Sequence, residues 1–231
     1  METGLKLSII VPTLNEAPNL GRTLAPLQPL RGRIEIIVVD GGSSDGTLRI
    51  AEELADKVLR SEPGRARQMN AGFEAATGRA LLFLHADTLL PQDFHRQITR
   101  ALTETASLWG RFDVRFDPST PLLRLVAWMM NRRSCLTRIC TGDQAIFVRS
   151  CVFRDFGRFA DIPLMEDIEL SRRLRYLTPP ACIRSPVVTS SRRWIEKGTV
   201  RTILLMWRLR LLFWLGVSPE RLARAYYPGR S

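Results

Sequence analysis

The chain has 231 residues, 45% of them hydrophobic, which suffices for a substantial core and favours one large domain over two small ones. Its 34 Lys and Arg against 23 Asp and Glu leave a net charge of +11, so anionic small molecules, anionic lipid and nucleic acid are all admissible partners on charge alone. Nucleic acid is set aside, because the chain carries no zinc-finger spacing, no aromatic-rich RNA-binding signature and no uninterrupted basic run.

The first hundred residues alternate strand and helix. Leu7–Val11 is a short apolar strand, Asn15–Leu27 a capped helical stretch and Ile34–Val39 a second strand. An amphipathic helix, Thr47–Ala55, is opened by Ser44-Asp45-Gly46, and Lys57–Arg60 is a weak third strand. Arg65–Ala76 has small and apolar residues at helical spacing, Ala80–Leu84 is a strand, and Pro91–Leu102 begins with proline in a helix's first turn. Strands and helices in this order predict a parallel sheet covered by helices.

The regularity fades after Trp109. Arg111–Phe116 alternates like a half-buried strand, Pro118-Ser119-Thr120-Pro121 is a loop and Leu122–Asn131 a helix. Ala145–Arg149 is a strand, Glu166–Tyr176 an amphipathic helix and Val187–Ser190 a late strand. Thr199–Val217 is the most apolar stretch, interrupted by Arg201, Arg208 and Arg210. By helical angle Arg201 and Arg208 share a face and Arg210 lies almost opposite, so a bilayer-spanning helix would carry charge on two sides. The stretch is read either as a helix docked on the core or as a basic, aromatic helix that touches a membrane surface. No linker divides the chain, and an apolar helix of this kind also leaves oligomerisation open.

Cys135, Cys140, Cys151 and Cys182 match no zinc-ligand spacing and are expected as buried, reduced thiols. Met1-Glu2-Thr3-Gly4 lacks the pattern of an export signal. A cytoplasmic location is therefore expected.

The chemistry gathers where strands end. Ile34–Val39 stops on Asp40-Gly41-Gly42-Ser43, and Ala80–Leu84 on His85-Ala86-Asp87. The first strand ends in Pro12-Thr13-Leu14-Asn15-Glu16. Ligands of open α/β sheets sit just beyond such carboxyl ends. Side-chain oxygens from three junctions would share one rim, although each alone also suits a turn or a helix cap. His85 and Asp87 can reach one ion, whose shell diphosphate oxygens and water would complete. Arg65, Arg67 and Asn70 open a helix where the dipole disfavours cations unless an anion lies between, and a diphosphate fits. Glu166 and Asp167 stand at a helix start, where the dipole favours ionised carboxylates able to take a proton from a hydroxyl. Gln144, beside Asp143, and Arg192-Arg193-Trp194 are further candidates for sugar, phosphate or acceptor contacts.

In order, these residues resemble the family 2 glycosyltransferases of GT-A fold: Ile9 through Glu16, Ile37 through Thr47, His85-Ala86-Asp87, and Glu166-Asp167-Ile168-Glu169-Leu170. The resemblance implies an α/β fold with a Rossmann-like, mixed but mainly parallel sheet in a single domain. Residues 1–104 would be its nucleotide-binding half, 105–198 its acceptor half and 199–231 a C-terminal amphipathic helical segment. It implies an inverting, nucleotide-sugar-dependent transferase using Mn²⁺ or Mg²⁺. Pro12, Thr13, Glu16 and Asp40 would hold base and ribose, with Gly42 and Ala86 from the same turns beside the nucleotide. Asp87 would hold the metal, with His85 standing where the family usually has an aspartate. Asp167 would be the base, and Arg192-Arg193-Trp194 a shortened form of the family's Arg-Trp element. Processive members carry transmembrane helices, which are not found here. Transfer of one sugar to a small or lipid-linked acceptor is therefore expected, at most with peripheral contact to the inner membrane face. A nucleotidyltransferase on the same sheet and a non-catalytic membrane or scaffold module are the rival readings.

Overall fold

The computed structural model describes residues 5–227. The first four residues, on which the export-signal reading falls, and the last four of the C-terminal segment lie outside the described residues. Among the described residues eight strands form one sheet: β1 (Leu7–Thr13), β2 (Ile34–Asp40), β3 (Lys57–Arg60), β4 (Ala80–Phe83), β5 (Thr88–Leu89), β6 (Trp109–Asp117), β7 (Phe147–Arg149) and β8 (Ala181–Ser190). Their order across the sheet is β3-β2-β1-β4-β7-β6-β8-β5. The first four pair in parallel, β7 runs antiparallel between β4 and β6, and β6 and β8 are again parallel. The expected mixed sheet is present, and the antiparallel β7 is what joins the two halves.

Among the described residues ten helices accompany it: α1 (Ala17–Leu24), α2 (Thr47–Leu54), α3 (Arg65–Ala75), α4 (Phe94–Thr103), α5 (Pro121–Thr137), the single turn α6 (Ser150–Val152), α7 (Glu166–Leu174), α8 (Arg192–Glu196), α9 (Thr199–Trp214) and α10 (Pro219–Tyr226). The pleat of β1 and β2 divides the core. Ile9, Val11, Ile36 and Val38 pack beneath α1, α2, α4 and α5, whereas Ile10, Ile37 and Val39 face α3 and the segment around Phe153. Gly72 of α3 is needed for the second contact, since a Cβ there would collide with the Ile10 side chain.

Some boundaries move. Pro121 belongs to α5 rather than to the preceding loop, because Thr120 caps the helix by accepting from Leu123 N at 3.2 Å and proline suits the first turn. Pro91 makes only a turn, with Phe94 N bonded to Pro91 O at 3.0 Å. The last strand starts at Ala181 instead of Val187, because its whole length pairs with β6 across a bulge.

The expectation of four buried, reduced thiols fails. Cys135 of α5 and Cys182 of β8 are joined in a disulfide with Cα atoms 6.1 Å apart, and Cys151 is exposed. A separation of 47 residues concealed that the end of α5 lies over the start of β8. Cys140 alone fits the expectation, with burial pushing its thiol up to about 12.

Within Thr199–Val217 the helix α9 ends at Trp214, and with α10 it packs on α7 and the residues before it through Leu164, Met165, Ile168, Leu209, Leu222 and Tyr226. Arg201 and Arg208 are exposed and Arg210 is half-buried, as the helical angles predict. Among the described residues no helix is long and apolar enough to cross a membrane.

Candidate active site

A cavity of about 1240 Å³ opens over the carboxyl ends of β1, β4 and β8, walled by α3, α5, the head of α7, α8 and the α9–α10 pair. Pro12, Thr13, Glu16, Arg65, Arg67, His85, Ala86, Asp87, Glu166, Asp167, Arg192, Arg193 and Trp194 all line it. Among these candidates the two farthest apart in sequence, Pro12 and Trp194, thus face one space across 182 positions (194 − 12).

At its centre stands the start of α7. Met165, just before the helix, has φ 70°, a left-handed conformation that a side chain as large as Met adopts at a cost. That turn delivers Glu166 and Asp167 into the cavity. Asp167 accepts from Gly142 N at Oδ2 (2.8 Å) and from Ile168 N at Oδ1 (2.7 Å), which fixes its carboxylate. Glu166 is buried, and burial followed by the neighbouring Asp167 charge raises its carboxyl above the usual range, while Arg65 and His85 oppose the rise. The adjacent acids are therefore not equivalent.

His85 is held on both sides. Its Nδ1 lies 3.3 Å from Asp143 Oδ1, and a Cβ added at Gly142 would come within 2.6 Å of its Nε2. Burial opposes ionisation of Asp143, yet the His85 hydrogen bond and charge, with Arg65 and Arg193, hold its carboxyl down at about 2. Asp143 belongs to the site although its motif alone reads as a turn. The signal was its place one residue before Gln144 in a Gly-Asp-Gln turn.

Arg193 donates to the Tyr226 hydroxyl and lies over that ring at 5.0 Å, so α8 and α10 close one side together. Trp194 packs edge-on against Phe116 with ring centroids 5.3 Å apart, and is a wall of the cavity. Tyr226 and Tyr227, together with Arg133 of α5, line the space without having been singled out in sequence, as does Arg210 of α9, which the sequence marks only as a charge interrupting an apolar helix. Nothing local marks them for the site, because distant segments bring them in.

Four candidates do not reach the cavity. Asp40 is wholly buried and its carboxylate is spent inside its own turn, on Gly42 N (2.9 Å), Ser43 N (2.8 Å) and Ser43 Oγ (2.5 Å). Gly42, at φ 94°, permits that turn. Asn70 exchanges two bonds with the Phe159 backbone, at 2.8 and 3.1 Å, and so clamps the loop across α3. Gln144 is buried, where it donates to Ser134 Oγ at 2.9 Å and accepts from Thr141 N at 3.3 Å. The rim is there, but these polar groups serve its shape. Arg67 lines the cavity with its Nε already 2.8 Å from Asp161, so it is no longer free to share one target with Asn70.

With this geometry in view, similarity to known proteins can be placed. The family model for glycosyl transferase family 2 matches residues 8–161. An uncharacterized glycosyltransferase of Mycobacterium tuberculosis is 37% identical over 194 residues, covering 80% of this chain and 74% of the relative. Glucosyl-3-phosphoglycerate synthase from the same species, crystallised with Mn²⁺, uridine diphosphate and glucosyl-3-phosphoglycerate, superposes with a TM-score of 0.66. It shares 19% identity, over 94% of this chain and 82% of that one. Residues 1–349 of S. aureus TarS superpose with a TM-score of 0.63 at 17% identity, over 81% of this chain. This chain spans 61% of that fragment. These two superpositions speak to the architecture.

Proposed function

Because the chain belongs to glycosyl transferase family 2 and is a glycosyltransferase, we propose that it moves one sugar from a nucleoside-diphosphate sugar to a hydroxyl of a small or lipid-linked acceptor by inverting displacement. The observation that carries this reading is that one cavity holds Asp87 at the β4 rim, the arginines of α3 and α8, and the Asp167 carboxylate. Pro12, Thr13 and Glu16 face the base and ribose. Arg65 with Arg192 or Arg193 faces the diphosphate, and Glu166 and Trp194 face the sugar or acceptor.

Asp167 takes the proton from the acceptor hydroxyl. That oxygen bonds to the anomeric carbon as the bond to the diphosphate oxygen breaks on the opposite side. Two backbone N–H groups hold the Asp167 carboxylate in place, so little orientation is left to acquire. The guanidinium groups offset charge developing on the departing diphosphate, and that of Arg193 is held by the Tyr226 hydroxyl.

The donor chemistry suits a divalent cation. Asp87 offers a carboxylate whose one side-chain contact is a weak 3.4 Å bond from Thr88, and Mg²⁺ or Mn²⁺ is commonly held by one or two carboxylates plus phosphate oxygens and water. Among the described residues no three His, Cys, Asp or Glu side chains gather as a protein-only site. Bound there, the ion would neutralise charge on the leaving group. His85, engaged by Asp143, would order the Asp87 turn more than ligate.

Exposed faces of α5 and α9 carry Trp128, Leu136, Leu204, Leu211 and Trp214 beside Arg201 and Arg208. Neither helix contains an acidic residue. We assign this face to peripheral contact with an anionic membrane surface, on its inner side.

The test of the reaction is Asp167→Asn. The variant should keep its thermal shift with UDP, GDP or dTDP in Mn²⁺ while transfer falls about a thousandfold. Glu166→Gln should be milder. Near-normal turnover in Asp167→Asn would refute the base assignment.

A further inference from the structure

Two arginines in the cavity have no counterpart in the donor machinery. Arg133 reaches in from α5 and Arg210 from α9. Among the described residues neither guanidinium makes a hydrogen bond or an ion pair, and Arg133 Nη2 and Arg210 Nε are buried with no partner at all. A charged group withdrawn from water without a partner is costly, and two like charges together cost more. Both effects are visible, since burial and then Arg210 lower the Arg133 guanidinium to about 10, and burial lowers Arg210. A guanidinium is a fork suited to two oxygens of one anion.

They stand on other elements than the arginines assigned to the diphosphate, on α5 and α9 rather than on α3 and α8. Asp167 acts on both, and Asp143 acts on Arg210 as well. Around the pair the walls are apolar, from Val126, Met129, Met130, Ile203, Met206 and Trp207. An anion held there would lie beside the base, with an apolar body against the α5 and α9 walls.

We propose that Arg133 and Arg210 form the seat for a phosphate or carboxylate group of the acceptor, which makes the acceptor an anionic molecule with an apolar part and a hydroxyl near its charge. This deepens the proposed reaction and rests on Asp167 marking the acceptor side.

The test titrates octyl phosphate, octanoate, inorganic phosphate and neutral octanol into the protein saturated with Mn²⁺ and whichever of UDP, GDP or dTDP gives the thermal shift, so that donor-side arginines are occupied. Trp128 and Trp207 line the cavity and report binding by fluorescence. In the wild-type protein octyl phosphate or octanoate should bind at least tenfold more tightly than octanol. Arg133→Gln and Arg210→Gln should each weaken the anion about tenfold, Arg133→Lys should recover part of it, and affinity for the nucleotide should not change. If inorganic phosphate matches octyl phosphate, the apolar part of the proposed acceptor is refuted. A large advantage for octyl phosphate makes the acceptor an amphiphile. Equal binding of octyl phosphate, octanoate and octanol to the wild-type protein, which requires no folded variant, overturns the proposal. So does a loss of nucleotide affinity in both variants with the anion unaffected. Failure of UDP, GDP and dTDP alike to bind would instead count against the glycosyl-transfer reading.

Discussion

At the scale of residues the site depends on backbone positions as much as on carboxylates. Gly142 donates its N–H to Asp167 and presents a bare Cα to the His85 ring. A methyl group 2.6 Å from His85 Nε2 cannot be accommodated without moving the ring or the turn. Either movement reaches Asp167 or the His85–Asp143 pair. Gly142→Ala should therefore lower kcat/KM about ten- to a hundredfold, since displacements near 1 Å carry such costs, while the melting temperature changes little. Steady-state kinetics beside a thermal melt checks this, and an unimpaired Gly142→Ala enzyme would show that His85 is not positioned by this contact.

At the scale of elements the clearest electrostatic device lies away from the cavity, where β1, β2 and β3 are tied at their starts. Glu35 on β2 accepts from Ser8 Oγ at 2.5 Å and Thr77 N at 2.8 Å, and its Oε1 lies 2.8 Å from Lys57 Nζ. Burial alone would raise its carboxyl, but Lys57, Ser8 and Thr77 together bring it from 4.5 down to about 2. A carboxylate whose folded value lies below its unfolded one stabilises the fold at pH above the unfolded value. That stability is lost as pH falls from about 4.5 through about 2. Glu35→Gln should cost roughly 2–3 kcal/mol at neutral pH by this linkage. The gap between wild type and variant should narrow across that acid window in urea melts at stepped pH. A gap independent of pH would assign the cost to packing instead.

At the scale of the whole molecule, the cavity mouth and the exposed aromatic face meet along α5 and α9. Trp214, 76% exposed, and Leu211, 56% exposed, lie outside the cavity lining and can be altered without touching it. Leu211→Ser with Trp214→Ser, or Arg201→Gln with Arg208→Gln, should each weaken sedimentation with phosphatidylglycerol vesicles about tenfold or more. Binding of UDP should be retained, and neutral vesicles should bind little in every case. Equal pelleting of wild type and both double variants would leave this face without a lipid role.

The amino-acid order by itself determined the β-α alternation through β4 and the three polar turns at the sheet edge. It also determined the acid pair of α7 and the opposite facing of Arg210 from Arg201 and Arg208. Each is written in short-range periodicity or in one contiguous motif. Tertiary structure alone decided which rim residues look into the cavity. Asp40 turned inward because its own loop offered three donors at bonding distance, and Gln144 because Ser134 of α5 lay within reach. The same holds for Asp143 beside His85, for the Cys135–Cys182 link, and for Arg133 meeting Arg210 from a helix 77 positions away (210 − 133). Such pairings are set by how α5, α7 and α9 pack on a shared sheet, and no local propensity encodes that distance.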